Sequence, residues 1–119
     1  MHITYEDVKN EIPRIIATRG ESFVYTTHRD ADGTCMYVYK GKPDCLIGCY
    51  LADKGLPLEA FANAESKSID DVFDEGHFED YGFSADYDAI QAMVTLQLFQ
   101  DDSYSWGEAY AGTFDRFED

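Results

Sequence analysis

The sequence contains no apolar run of the roughly 20 residues that a membrane-spanning helix requires, so we expect no membrane association. Its first residues, MHITYEDVKNEI, have neither the basic segment nor the apolar core of a signal peptide, so we expect none. Cysteine is scarce, and three thiols cannot all pair with one another. Free thiols are typical of a reducing compartment, which predicts a cytoplasmic protein.

Common enzyme motifs are missing as well. The sequence has no G-x-S-x-G nucleophile elbow, no P-loop, no G-x-G-x-x-G dinucleotide motif and no H-E-x-x-H zinc motif. We therefore expect no cofactor, and a non-enzymatic function is favoured over catalysis.

Basic residues are nearly absent from the second half of the chain. Residues 1–67 carry 8 basic and 10 acidic side chains, whereas residues 68–119 carry one basic residue, Arg116, and 14 acidic ones. The resulting net charge of −15 repels phosphate backbones, so we expect no direct binding to nucleic acid or to an anionic membrane. The same charge attracts a basic protein surface, including a nucleic-acid cleft in which carboxylates stand in for phosphates. Solubility alone is the alternative explanation.

The residues that are present are typical of a single globular domain spanning residues 1–119. Hydrophobic side chains make up 45% of the chain and aromatic ones 15%, which is enough for a continuous core. Apolar spacing predicts about five helices. They cover residues 4–20 with Thr4 as N-cap, residues 43–55, a short helix opened by Pro57, a short helix after Ser68 that is broken at Gly76, residues 85–100 with Ser84 as N-cap, and a last helix that contains Trp106, Ala109, Tyr110 and Thr113.

Two of these helices have distinctive features. Pro13 interrupts the hydrogen-bond ladder of the first helix, so we expect a kink there or a later start. The helix of residues 85–100 is apolar on more than one face, which predicts that neighbours surround it and that it is the central helix. Its apolar positions are Tyr87, Ile90, Met93, Val94, Leu96, Leu98 and Phe99.

A β-hairpin is predicted between the first two helices. The segments SFVYTTH and TCMYVYK are rich in aromatic and β-branched residues, and Asp32-Gly33 between them is a strong two-residue turn. Two strands alone are marginally stable in water, so the hairpin must pack against helices. The predicted fold class is α+β, with one β-hairpin packed on a small assembly of about five helices.

The same region holds the candidate metal ligands, which are His28, Cys35, Cys45 and Cys49. Their spacing, H-x6-C-x9-C-x3-C, is not that of a structural zinc knuckle, and cysteine packs well as a small apolar residue. We therefore predict that Cys45 and Cys49 are buried, reduced and free of metal. The alternative is a small metal- or ligand-binding enzyme centred on the hairpin and the Cys45 helix.

The candidate partner-binding residues lie in an acidic stretch that is interleaved with aromatic residues. They are Asp74, Glu75, Phe78, Glu79, Asp80 and Tyr81. Aromatic side chains exposed beside carboxylates suit a basic, apolar-lined surface on a partner, whereas a purely solvated face is the alternative.

Two segments of the chain carry a pattern of C-x-Y-V, G-x-P-x-C-L-x-G, a Gln-Asp pair and W-G-x-A. They are CMYVYKGKPDCLIGCYLADKGLPLEAF and QLFQDDSYSWGEAY. In this pattern, over residues 35–110, the chain resembles a group of small uncharacterised proteins of actinobacteria and their phages. That group has no established activity, so the resemblance implies an origin and no residue roles. It implies a phage or actinobacterial accessory protein that acts in the bacterial cytoplasm. One glycine of the pattern, Gly48, allows another part of the chain to approach the helix of residues 43–55 closely.

The function predicted from the sequence is that of a non-enzymatic acidic interaction protein, encoded by a phage. Its acidic second half is expected to bind a basic surface of a host protein, with nucleic-acid mimicry as one form of this binding. The oligomeric state is left open.

Overall fold

The structure is a computed structural model that describes residues 1–25, 37–39, 41–62, 64 and 67–114. The α-helices within these residues are α1 (Tyr5–Arg19), α2 (Leu46–Asp53), α3 (Ile69–Asp74), α4 (Tyr87–Asp101) and α5 (Trp106–Phe114). The strands are β1 (His2–Ile3), β2 (Val38–Tyr39), β3 (Lys42–Pro43) and β4 (Ser84–Ala85). These five helices and two small sheets of the described residues form an α+β fold, which confirms the predicted class.

Helix α1 begins and ends where its sequence predicts. The Thr4 hydroxyl accepts a hydrogen bond from the Asp7 N–H at 3.2 Å, and the Asp7 carboxylate accepts one from the Thr4 N–H at 3.0 Å. This capping box satisfies two N–H groups that a helix start otherwise leaves unpaired. Gly20, with φ of 96°, ends the helix in a conformation that glycine tolerates.

The helix runs through Pro13, so the late start expected at this residue is wrong. Proline has no N–H to donate to the carbonyl of Lys9, four residues earlier. The hydroxyl of Tyr110 in α5 donates to that carbonyl at 2.9 Å instead. A tertiary contact therefore replaces the local hydrogen bond that the proline removes.

The described hairpin lies later in the chain than the predicted one. Strand β2 pairs antiparallel with β3, with Val38 opposite Pro43 and Tyr39 opposite Lys42. The turn predicted at Asp32-Gly33 lies outside the described residues. Because Pro43 belongs to β3, helix α2 begins three residues later than predicted, at Leu46.

The second sheet joins the start of the chain to the residues just before α4, and it has no counterpart in the sequence-based prediction. Strand β1 pairs parallel with β4, with His2 opposite Ser84 and Ile3 opposite Ala85. Ser84 is therefore a strand residue, and the prediction that it caps α4 is wrong. Asp86 caps the helix by accepting a hydrogen bond from the Ala89 N–H at 2.7 Å.

Helix α4 is the central helix, as predicted, and it packs against α1, α2, α3 and α5. Its buried face differs from the expected one. Tyr87 and Leu98 are 74% and 64% exposed, whereas Gln97 and Gln100 are buried. Among the described residues, no helix combines the length and the apolar content that a bilayer crossing requires.

The two buried glutamines connect α4 to the starts of its neighbours. The Oε1 atom of Gln100 accepts hydrogen bonds from the Leu46 N–H at 2.8 Å and from the Trp106 indole N–H at 2.9 Å. The Oε1 atom of Gln97 accepts one from the Ile69 N–H at 2.9 Å. Because the first N–H groups of α2 and α3 need acceptors, these amides fix where both helices begin.

Candidate functional site

A cleft lies between α3, residues 79–85 and the first turns of α4. Its volume is about 400 Å³. Its apolar surface comes from Phe73, Phe83, Ala85 and Ile90, and Tyr87 stands at its edge. Four carboxylates also line it, namely Asp70, Asp71, Asp74 and Glu79, and no lining residue is basic. We refer to it as the acidic cleft.

Helix α3 supplies one wall of the acidic cleft. Ile69 and Val72 are fully buried, which turns the acidic residues of this short helix outwards. The Ser68 hydroxyl does not cap the helix but contacts the carboxylates of Asp70 at 2.5 Å and Asp71 at 3.1 Å. The cap comes from Gln97, so the core of the protein determines the position of this wall.

Two glycines in the left-handed region bring the opposite wall into place. Gly76 and Gly82 both have φ of 77°, a conformation that side chains with a Cβ rarely adopt. Between these turns Phe78 enters the core, where its ring lies 5.3 Å from that of Phe73. The following 3₁₀-helix, Glu79–Tyr81, places Glu79 across the cleft from α3.

The carboxylates of this region differ in how they are neutralised. Glu75 accepts a hydrogen bond from Lys67, and His77 Nε2 lies 3.2 Å from the same oxygen. The contact with Lys67, followed by that with His77, lowers the pKa of Glu75 below its usual value. Within the described residues, Asp74 and Glu79 make neither an ion pair nor a side-chain hydrogen bond. Asp74 and Glu79 therefore leave two unpaired negative charges in the acidic cleft, and exposed Asp80 leaves another just outside it.

The predicted partner-binding residues separate into four groups. Asp74 and Glu79 line the acidic cleft, and Asp80 and Tyr81 are exposed but lie outside it. Glu75 is exposed and ion-paired. Phe78 is fully buried, so its predicted contact with a partner is wrong. Phe78 instead packs against Phe61 and Phe73 because the two glycine turns direct it into the core.

Sequence reasoning missed the contribution of Tyr87. The apolar pattern of the long helix includes Tyr87, but this residue lies two positions before buried Ala89. At 3.6 residues per turn, two positions correspond to about 200°, which is nearly the opposite side of the helix. Because the sequence pattern is apolar on more than one face, only the burial of Ala89 in the structure shows that Tyr87 points away from the core.

A serine and a histidine also meet beside the cleft. Ser84 Oγ lies 2.9 Å from His2 Nδ1, and Ser84 lines the cleft. Nucleophilic catalysis requires a third group that orients the base. No described residue is hydrogen-bonded to the other ring nitrogen of His2, so this pair links the two strands and lacks the arrangement of a catalytic triad.

The alternative metal site is described only in part, because His28 and Cys35 lie outside the described residues. Cys45 is fully buried, and its Sγ accepts a hydrogen bond from the Gly48 N–H at 3.3 Å. Cys49 is half-buried rather than buried as predicted, and this burial raises the pKa of its thiol to about 11. The described residues include no group of three or more histidine, cysteine or acidic side chains that could hold a metal ion.

Comparisons with known proteins add no family assignment. No protein-family model matches the chain, and neither a curated protein nor a solved structure matches it. Function is therefore inferred from the chemistry of the acidic cleft.

Proposed function

We propose that this protein is a non-enzymatic interaction protein that binds a basic surface of a partner protein through its acidic cleft. The observation that carries the proposal is the pair of unneutralised carboxylates, Asp74 and Glu79, beside an apolar surface. Neighbouring Glu75, by contrast, is paired with Lys67.

The cleft combines the two contributions that protein interfaces use. Unpaired carboxylates steer a basic partner towards the site over long distances and raise the association rate. The exposed ring of Tyr87 and the apolar surface behind it can bury area on contact, which slows dissociation. A cationic surface that carries apolar side chains matches both contributions.

The resemblance to proteins of actinobacteria and their phages supplies the proposed setting. We assign the protein to the cytoplasm of a bacterial host, as a phage-encoded accessory protein. The partner class is a host protein whose basic surface ordinarily contacts nucleic acid, because carboxylates can occupy sites that attract phosphates.

The test is affinity capture from an actinobacterial lysate at low and at high ionic strength. The bait proteins are the wild type, the cleft variant Asp74→Asn/Glu79→Gln and the matched control Glu75→Gln/Asp80→Asn. Both variants remove two negative charges, but the control changes residues outside the cleft. Circular dichroism checks that both remain folded.

We expect the wild type and the control to capture the same partner, less of it at high salt, and the cleft variant to lose it. Equal loss in both variants would assign the binding to total charge. Undiminished capture by both variants would mean that these acidic residues contribute to solubility and not to binding. Either result contradicts the proposal.

A further inference from the structure

We propose that the acidic cleft takes an arginine side chain from an extended segment of the partner. This inference rests on the proposed function and names the chemical group that the cleft recognises. Three features of the described residues support it: the pairing of carboxylates with aromatic rings, a similar arrangement elsewhere in this chain, and the free side of a cleft strand.

The first feature is the combination of groups that line the cleft. Asp74 and Glu79 offer unpaired carboxylate oxygens, and Phe83 and Tyr87 offer aromatic rings. A guanidinium group is planar, stacks on aromatic rings and donates two parallel hydrogen bonds to a carboxylate. An ammonium group is a compact and strongly hydrated charge, so it gains less from the rings.

The second feature is the environment of Arg19 in the same protein. Its guanidinium carbon lies 5.1 Å from the ring centroids of both Phe23 and Trp106. Its Nη2 atom is 4.0 Å from a carboxylate oxygen of Asp44. The guanidinium also donates hydrogen bonds to the backbone carbonyls of Asp44 and Pro43, at 2.7 and 3.5 Å. Aromatic rings, a carboxylate and backbone carbonyls therefore already surround an arginine in this fold, and the acidic cleft combines aromatic rings, carboxylates and strand β4 with no basic lining residue.

The third feature is strand β4, which forms part of the cleft lining. The N–H groups of Ser84 and Asp86 donate to the carbonyls of Met1 and Ile3 at 2.9 and 3.1 Å. Successive peptide groups of a strand point to opposite edges, so the N–H of Ala85 points away from β1. No described strand pairs with β4 on that side, and an extended segment can add there by donating and accepting backbone hydrogen bonds.

The test uses three blocked pentapeptides that differ only at the central residue, which is arginine, lysine or citrulline flanked by valine and glycine on both sides. Citrulline keeps the shape of arginine without its charge. Binding to the full chain is followed by amide chemical shifts in NMR spectra. The protein variants are Tyr87→Ala and, as a matched control, Tyr81→Ala, which removes an exposed tyrosine that does not line the cleft.

We expect the arginine peptide to shift resonances of α3, β4 and the start of α4, and to bind about fivefold or more tightly than the lysine peptide. The citrulline peptide should not bind. Tyr87→Ala should remove the preference for arginine over lysine, whereas Tyr81→Ala should leave it unchanged.

Equal affinity for arginine and lysine, or shifts centred outside the cleft, would overturn the inference. Binding of free arginine amide as tight as that of the arginine peptide would overturn the extended-segment part. If none of the peptides binds but lysate capture still depends on Asp74 and Glu79, this inference fails and the proposed function stands. If capture is also indifferent to those residues, both fail.

Discussion

Gln100 connects three helices through one side-chain oxygen, so its replacement by leucine tests how the core is held together. The side chain is fully buried. Its Oε1 atom accepts hydrogen bonds from the first N–H of α2, at Leu46, and from the indole of Trp106. Leucine has a similar volume but cannot accept either bond.

The expected cost follows from the two stranded donors. A buried donor without an acceptor costs about 1–3 kcal/mol, so the two together cost about 2–6 kcal/mol. The apolar leucine side chain offsets about 1–2 kcal/mol by removing the amide from a buried position. The midpoints of these two ranges, about 4 and about 1.5 kcal/mol, leave an expected loss of about 2.5 kcal/mol in the free energy of unfolding of Gln100→Leu, a large part of the 5–15 kcal/mol typical of a small domain.

Urea denaturation followed by circular dichroism measures this loss. The matched control is Gln91→Leu on the same helix, where the side chain is partly exposed and makes no hydrogen bond with a described residue. The control should change the free energy of unfolding by no more than about 0.5 kcal/mol. A change equally small for Gln100→Leu would refute the reasoning.

A double-mutant cycle assigns part of the loss to the indole. Trp106→Phe removes the N–H that Gln100 accepts, so only the Leu46 donor remains to be stranded. In that background, Gln100→Leu should cost about 1–3 kcal/mol less than in the wild type. Additive costs would show that the indole hydrogen bond contributes nothing.

Three further predictions concern a glycine, a thiol and a carboxylate. Gly48→Ala should lower the melting temperature, because the new Cβ would lie 2.9 Å from the carbonyl carbon of Tyr37. Alanine ordinarily stabilises a helix relative to glycine, so a higher melting temperature would contradict this close contact. At mildly alkaline pH, a thiol reagent should label Cys49 about 100-fold more slowly in the native protein than in the unfolded one, because the pKa of this thiol is raised from 9.0 to about 11. Peptide mapping after timed quenching identifies the labelled residue, and equal labelling rates would refute the prediction. Because the folded-state pKa of Glu75 is lowered from 4.5, its ion pair stabilises the fold above that pH, and this stabilisation disappears as the pH falls through the lowered pKa. Urea unfolding should therefore show that the wild type is more stable than Glu75→Gln near neutral pH and that the two converge in acid. A difference in stability that does not depend on pH would argue against the ion pair.

Local signals accounted for much of the helical structure. Thr4 and Asp7 cap α1 through contacts that span three residues, and Gly20 ends it. Ser68 and Gly76 likewise bound α3 where the sequence predicts, although Ser68 makes no capping hydrogen bond. Caps and glycine stops depend on neighbouring residues, so the sequence contains the information needed to place them.

The candidate site was predictable only as a region. The concentration of carboxylates after residue 68 identified the acidic segment, and Asp74 and Glu79 within it line the cleft. The choice of Phe78 failed because the direction of an aromatic side chain in a glycine-rich connection depends on the turns around it. Tyr87 was missed because an apolar residue on a helix was assumed to face the core.

Composition and short-range spacing specify the charge, the helical segments and the α+β class, so these features were predictable from the chain alone. Tertiary structure decided which polar residues enter the core and where the acidic charge is left unpaired. Gln97 and Gln100 are buried because the N-termini of α2 and α3 meet α4 at those positions. The pairing of β1 with β4 joins residues about 80 positions apart, and such contacts depend on the packing of the whole chain rather than on local pattern.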